Sequence, residues 1–350
     1  MKYNILIILM LTLSLQSCLD QPEIDTSSID GEWSIPVNEV FDGGPGRDGI
    51  PAIDNPQLLP NSEVNTITDD QLVIGYFDGT TAVAYPHDIL DWHEIVNQDL
   101  NDQSFAVTYC PLTGTGIGWN RMINGAKTTF GVSGLLYNTN LIPFDRSTDS
   151  NWSQMLLASV NGELRDEDVE IVPMIETTWS TWLSMYPETL VLSRNTGFDR
   201  SYGVYPYGDY LSNDDNLLFP ISVDDDRLRR KERVHGVIID GQAKVYRLES
   251  FFQETTITDE FKGQKLLIVG SAERNFINSF YLNDEQAENL SFQIVTNGEG
   301  LLTDNEGNIW NIFGNAISGP RAGQQLENTT SYMGFWFAWG TFYPDAEIFR

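Results

Sequence analysis

The feature that most constrains this chain is a stretch that occurs twice. LVIGYFDGTTAVAYPHDIL at 72–90 aligns with RVHGVIIDGQAKVYRLESF at 233–251. Gly75/Gly236, Ala82/Ala243 and Tyr85/Tyr246 are each 161 residues apart, whereas Asp78/Asp240 and Gly79/Gly241 are 162 apart, a one-residue slip at the turn. Later segments keep the same order: DRSTDSNW (145–152) resembles DNEGNIW (304–310), and TWSTWLSMYPETLVL (178–192) resembles GFWFAWGTFYPDAEIF (334–349), with Pro187 and Pro344 157 apart. Similarity at a nearly constant offset is the signature of an internal repeat.

Each copy reads as β structure. Asp-Gly between alternating apolar runs is a hairpin signal. A short helical piece, an apolar strand (FAVTY; KLLIVG), a further hairpin and an aromatic helix before proline follow. The expected fold is mainly β or α+β, with two related β-rich halves, 48–212 and 213–350, about a pseudo-twofold axis. The copies differ at the residues suited to chemistry. At the 161 offset, His87 meets Leu248, His93 meets Glu254 and Cys110 meets Ser271, so the thiol and both imidazoles belong to the first half, with the second as scaffold. His235 is read as part of that scaffold.

The N-terminus reads as a processing and anchoring signal. Lys2 precedes an apolar run, Ile5 to Leu15, too short to span a bilayer core of roughly 30 Å. Leu15-Gln16-Ser17-Cys18 then supplies the cysteine that a lipoprotein signal peptidase needs. Residues 1–18 are thus expected to be a signal peptide with Cys18 lipidated, for example with palmitate, and the remainder extracytoplasmic, held to the inner or outer membrane by acyl chains. Residues 19–47, polar and rich in Asp, Ser, Gly and Pro, are expected to form a flexible acidic tether. With 20 Lys+Arg against 50 Asp+Glu the formal charge is −30, which repels phosphate backbones and argues against a nucleic-acid partner.

That export route makes Cys110 unusual, because with Cys18 acylated it has no intramolecular partner. It ends the apolar strand Phe105 to Tyr109 and opens PLTGTG, a turn whose glycines permit close backbone approach. His87 and His93 lie nearby in sequence. A helix over Asp88 to Asn97 would bury Trp92, Ile95 and Val96 and set His93 beside them, with Glu94 or Asp91 as its orienting carboxylate. Two chemistries fit: thiolate and imidazole ligands for copper or zinc, using Cys110, His93 and His87, or a Cys110 nucleophile with His93 as base and Glu94 as orienter. Tyr85, Trp92, Tyr109, Arg121, Ser133, Asn138, Asp145, Trp152 and Gln154 are the candidate supporting pocket, with structural ion pairing the simpler role for Arg121 and Asp145.

Taken together, YPHDILDWHEIVN, VTYCPLTGTG, FGVSGLLYNTNLIPFDRSTDSNWSQ, TTWSTW with PETLVLS, and FWFAWGTFYPDAEIF resemble the bacterial family of domain of unknown function 3179 over roughly residues 48–350. The resemblance places Trp92-His93-Glu94 before Tyr109-Cys110-Pro111-Leu112 as a shared core. Many members carry a second cysteine after that leucine; Thr113 stands here, which speaks against a dithiol mechanism. His87 falls where the family is often apolar. The resemblance implies a site and names no reaction. The leading expectation is therefore a cell-envelope lipoprotein that binds a transition metal, copper before zinc, for metal handling or oxidative chemistry. A cysteine enzyme acting on an acyl or amide substrate, and a non-catalytic binding lipoprotein, are the alternatives.

Overall fold

In the computed structural model, which describes residues 31–253 and 255–349, both Asp-Gly turns close β-hairpins. Leu72–Phe77 pairs antiparallel with Ala82–Pro86, and Arg233–Ile239 with Gln242–Arg247. The one-residue slip leaves the strand register untouched. Gly75 faces Ala84 and Gly236 faces Val245, so both members of the pair shift by 161 and the Asp-Gly dipeptide slides only within the turn. Asp240 and Gly241 both take positive φ, the two-residue turn that matches strand twist. In the first hairpin Asp78 Oδ1 instead accepts the N–H groups of Thr80 and Thr81 at 2.8 and 2.7 Å.

Among the described residues the protein is mostly β, with four short α-helices and several separate sheets. The helices are α1 (His87–His93), α2 (Trp179–Met185), α3 (Asp284–Asn289) and α4 (Trp336–Phe342). Each hairpin is flanked alike. Ile175–Thr178 adds antiparallel to the first, α2 crosses over, and Leu190–Leu192 adds parallel to Ala82–Pro86. Ser331–Phe335, α4 and Glu347–Ile348 do the same for the second. The crossing helix sits against a glycine each time. A Cβ on Gly75 would overlap the Trp182 indole, and one on Gly236 the Trp339 indole, so these strand glycines permit close helix–sheet packing.

A second sheet orders Ile171–Val172, Thr115–Asn120, Gln103–Cys110 and Ile95–Leu100; Glu327–Asn328, Phe276–Leu282, Gln264–Ser271 and Thr255–Phe261 repeat that order beyond residue 250. In the hairpins that follow, Asp145 accepts the Trp152 indole N–H at 3.1 Å and Asp304 accepts that of Trp310 at 2.9 Å. Both indoles are fully buried, and a buried indole needs such a partner.

Two local expectations change. Residues 31–47 are not a free tether: Val40–Asp42 pairs with Leu135–Tyr137, and Val40 and Ile35 are buried. Two well-placed apolar residues suffice to dock an otherwise polar segment, and the chain from Gly31 belongs to one compact unit. Helix α1 stops at His93 rather than Asn97, because Ile95 and Val96, β-branched and buried, join a strand against Thr108 and Val107. Packing on a sheet suits such side chains better than a helix does. Cys18 lies outside the described residues. Among the described residues no helix is long and apolar enough to cross a membrane.

Candidate functional site

The abrupt change from α1 to strand falls on one residue. Glu94 takes φ 57° and ψ −31°, a left-handed backbone that costs a non-glycine residue roughly 1–2 kcal/mol. Its N–H donates to Leu90 O at 2.8 Å, and its carbonyl accepts the Tyr109 N–H at 2.6 Å. Glu94 is thereby fixed to the residue before Cys110. The Glu94 side chain is buried, and burial pushes its carboxyl up to about 8, with the Tyr207 hydroxyl partly offsetting this. Asp91, one turn earlier, is pushed up to about 8 by burial and by the charges of Asp88 and Glu94.

Cys110 is 1% exposed, and its thiol points at Thr139 O, 3.7 Å away. Burial pushes the thiol up to about 11, and the charge of Glu94 adds to the shift. At neutral pH both the sulfur and the carboxyl are mostly protonated. The following turn serves packing: Gly114, at φ 61°, lies against the Phe335 ring, and the Phe335 N–H donates to Thr113 O at 2.8 Å.

A strap that sequence reasoning overlooked covers both motifs. In SYGVYPYGDY (201–210), Val204 O accepts the Trp92 indole N–H at 3.1 Å, Tyr202 Oη lies 2.6 Å from His93 Nε2, and the Tyr207 hydroxyl donates to Glu94 Oε1 at 3.4 Å. Tyr205 and Tyr210 donate to the carbonyls of Pro111 and Leu112 at 3.3 and 2.7 Å. Burial raises all three of Tyr205, Tyr207 and Tyr210 above the ordinary tyrosine range, and each also feels the charge of Cys110. Tyrosine alternating with Gly and Pro in an irregular segment was the available signal. Lys231 fastens the strap by donating to the carbonyls of Tyr210, Asn213 and Asn216.

His93 is fully buried and both ring nitrogens are engaged, Nδ1 with Pro51 O at 2.7 Å and Nε2 with Tyr202. Burial holds the imidazole below its usual range. The histidine thus orders the strap and Pro51, and the charge that the Cys110 thiol feels is that of Glu94. His87 lies elsewhere, its ring 4.5 Å from Tyr109 and its Nε2 3.4 Å from Glu176 Oε2. Both His93 nitrogens already have partners, and among the described residues no group of three or more His, Cys, Asp or Glu is placed to hold a metal ion.

The other expected pocket residues brace the surroundings. Gln154 Oε1 accepts from Thr115 and Asn140 at 2.7 and 2.8 Å, and its amide donates to Thr108 at 3.1 Å, joining the strands on either side of the Cys110 turn. Asn138 accepts the Ser222 N–H at 2.7 Å, and Ser133 donates to Ile142 O at 2.5 Å. Tyr85 donates to Gln98 at 3.2 Å. Arg121 donates to the carbonyls of Thr128 and Gln98 and lies 3.4 Å from Asp99. Asp145 caps its own loop through Ser147 and Thr148 besides holding Trp152.

The model of the family described as Protein of unknown function (DUF3179) matches residues 47–346. The chain belongs to this family. The DUF3179 match spans the WHE and YCPL motifs, the tyrosine strap and Lys231. No curated protein and no solved structure matches the chain.

Proposed function

We propose that this protein is a lipid-anchored component of the cell envelope whose first half carries a cysteine–glutamate site for acyl or amide chemistry, with 213–350 as the supporting half of a duplicated scaffold. The anchor rests on Leu15-Gln16-Ser17-Cys18. The observation that carries the chemistry is the bond from the Tyr109 N–H to the Glu94 carbonyl, which ties the strand of the sealed Cys110 thiol to a buried, positive-φ glutamate whose charge the thiol feels. Such strain clusters where function requires it. A thiol near 11 needs a nearby base, and a carboxyl raised to about 8 accepts protons far better than an ordinary one.

In this reading Glu94 takes the Cys110 proton as sulfur attacks the acyl carbon. The S–C bond forms, the bond to the leaving amine or alcohol breaks, and that group leaves with the proton from Glu94. Water then cleaves the thioester, releasing the acid and restoring the thiol. Substrate reaches the sulfur by displacing the Tyr205–Tyr210 strap, and His93 positions that strap through Tyr202. The test is the rate of thiol labelling by a small electrophile. Glu94→Gln is expected to slow it at least tenfold at pH 8, with Cys110→Ala abolishing it; an unchanged rate in Glu94→Gln overturns the assignment. Elemental analysis of protein purified without chelator is the companion measurement: stoichiometric copper or zinc that disappears in Cys110→Ala would replace this reading with metal handling.

A further inference from the structure

A cleft of about 400 Å³ opens beside the hairpin of Met122–Ile123 and Ala126–Lys127, and three of the side chains that line it are cations: Arg121, Lys127 and Arg146. It lies at the far end of strands Gln103–Cys110 and Thr115–Asn120 from the thiol, because Phe105 pairs with Asn120 at one end and Cys110 with Thr115 at the other. The whole chain holds 20 Lys and Arg against 50 Asp and Glu, so three cations on one cleft run against its composition.

One stretch of backbone sets the cations in place. Arg121 Nε donates to Thr128 O at 2.7 Å, the Arg146 N–H to Thr129 O at 2.9 Å, and Arg146 Nη1 to Phe130 O at 3.2 Å, so three successive carbonyls hold both arginines. Asp99 Oδ1 lies 2.7 Å from Lys127 Nζ and 3.4 Å from Arg121 Nη1, which puts those two heads side by side. Asp48 and Asp54 meet Arg146 at 2.7 and 3.0 Å. Among the described residues none of these carboxylates, nor any other, lines the cleft. The side chains of Asp48, Asp54 and Asp99 are 42%, 42% and 55% exposed, and ion pairs so open to water contribute little and exchange readily for another acceptor.

Arg121 is the cation left short of charge. It is 3% exposed. Its Nε and Nη1 donate to the neutral carbonyls of Thr128 and Gln98, its one carboxylate, Asp99, stands 3.4 Å away and closer to Lys127, and among the described residues its Nη2 makes no hydrogen bond. Burial holds the guanidinium below the usual arginine range, with Asp99 and Asp54 offsetting part of the shift. A buried charge requires an opposite one close by, and the cleft is where a ligand can bring it. The planar fork of arginine matches the oxygens of a carboxylate or a phosphate. A carboxylate brings one charge and two oxygens, enough for one guanidinium. A phosphate brings about two charges and three acceptor oxygens, one for each of the three heads. The net charge of −30 repels an extended polyanion, whereas screening over roughly 8–10 Å leaves a small anion to feel the cleft alone. We propose that this cleft binds a small molecule carrying a phosphate group, whose oxygens accept from Arg121, Lys127 and Arg146. The site is separate from the thiol and does not depend on the reaction proposed for it.

The test is calorimetric titration of the purified full-length protein, at low ionic strength, with glycerol 3-phosphate, inorganic phosphate, acetate and glycerol. Saturable binding of the phosphates is expected, at least tenfold tighter than that of acetate, with none for glycerol. Tighter binding of the ester assigns the phosphate to an organic ligand and tighter binding of inorganic phosphate assigns it to the free anion; either order sustains the site. Arg121→Lys keeps the charge but removes the fork and should weaken binding at least tenfold. Should that buried substitution not fold, Lys127→Glu, at a side chain 47% exposed, should have the same effect, while Lys127→Arg retains binding. Asp99→Asn withdraws the competing acceptor and should tighten binding at least threefold, a gain that a purely structural cluster would not give. Cys110→Ala should bind as the parent does, so failure of the thiol reading leaves this result standing. Absence of saturable phosphate binding, acetate as tight as phosphate, undiminished binding in Lys127→Glu, or weaker binding in Asp99→Asn overturns the proposal.

Discussion

Lys231 Nζ lies 3.6 Å from the ring centre of Tyr210 and donates to the carbonyl of that same residue. The Tyr210 hydroxyl donates in turn to Leu112 O, two residues past Cys110. A buried lysine, held below its usual range by burial, thus connects the segment before strand Arg233–Ile239 to the cover over the thiol. Lys231→Met keeps the apolar stem and removes the ammonium, leaving three carbonyls to find other partners. The expected outcome is faster hydrogen exchange across 201–216, a thiol labelled at least tenfold faster, and a loss of about 1–3 kcal/mol in stability. Exchange rates equal to the parent's would show that the strap is held by its tyrosines alone.

Gly75 and Gly236 admit no side chain. Because the indoles of Trp182 and Trp339 are fully buried and occupy the space a Cβ would need, Gly75→Ala and Gly236→Ala should each destabilise by about 1–3 kcal/mol, the usual cost of overpacking. Denaturant titration of the two variants checks this. A small effect at one position only would mean that its helix can shift outward and the other cannot.

What the sequence revealed was periodic or repeated. The Asp-Gly hairpins, the aromatic helices before Pro187 and Pro344, and the Asp–Trp pairs were legible because one local pattern fixes each of them. The end of α1 was less so: Asp88 to Asn97 has the composition of a helix, and only the tertiary pairing of Ile95 and Val96 with Thr108 and Val107 overrides it. The partners of His93 were hidden for a similar reason. Pro51 and Tyr202 lie 42 and 109 residues away from it in sequence, and no short-range pattern links them. Nearness of His93 to Cys110 along the chain suggested a pair, whereas both ring nitrogens of His93 go to these distant partners.

Stability should fall as pH rises from about 6.5 to 8. Glu94 keeps its proton up to about 8 in the folded chain and loses it near 4.5 when unfolded, so between these values the unfolded state binds fewer protons and folding weakens with pH, by about 1.4 kcal/mol per pH unit for one such group. Asp91 acts in the same direction. His235, pushed down to about 3 by burial, acts oppositely, but only below 6.5, where the unfolded imidazole takes up a proton that the folded one refuses. The window above 6.5 therefore isolates the carboxyls. Melting temperature measured across it should decline in the parent and decline less in Glu94→Gln; parallel slopes would mean that Glu94 ionises normally.

Glu94→Gly separates what this residue does for stability from what it does for chemistry. Glycine takes a positive φ without the roughly 1–2 kcal/mol penalty of other residues, although its extra freedom in the unfolded chain returns about 0.5–1 kcal/mol of that gain. Removing the carboxyl also relieves the burial that raises it to about 8. Above pH 7 the variant should therefore be more stable than the parent, by about 1 kcal/mol, while its thiol labelling slows as in Glu94→Gln. Glu94→Gln keeps the strained backbone at φ 57° and should gain only the electrostatic part. If both variants lose stability, the Tyr207 contact and the fixed Tyr109 N–H matter more than the strain, and Glu94 is a structural residue whose proximity to Cys110 serves the fold.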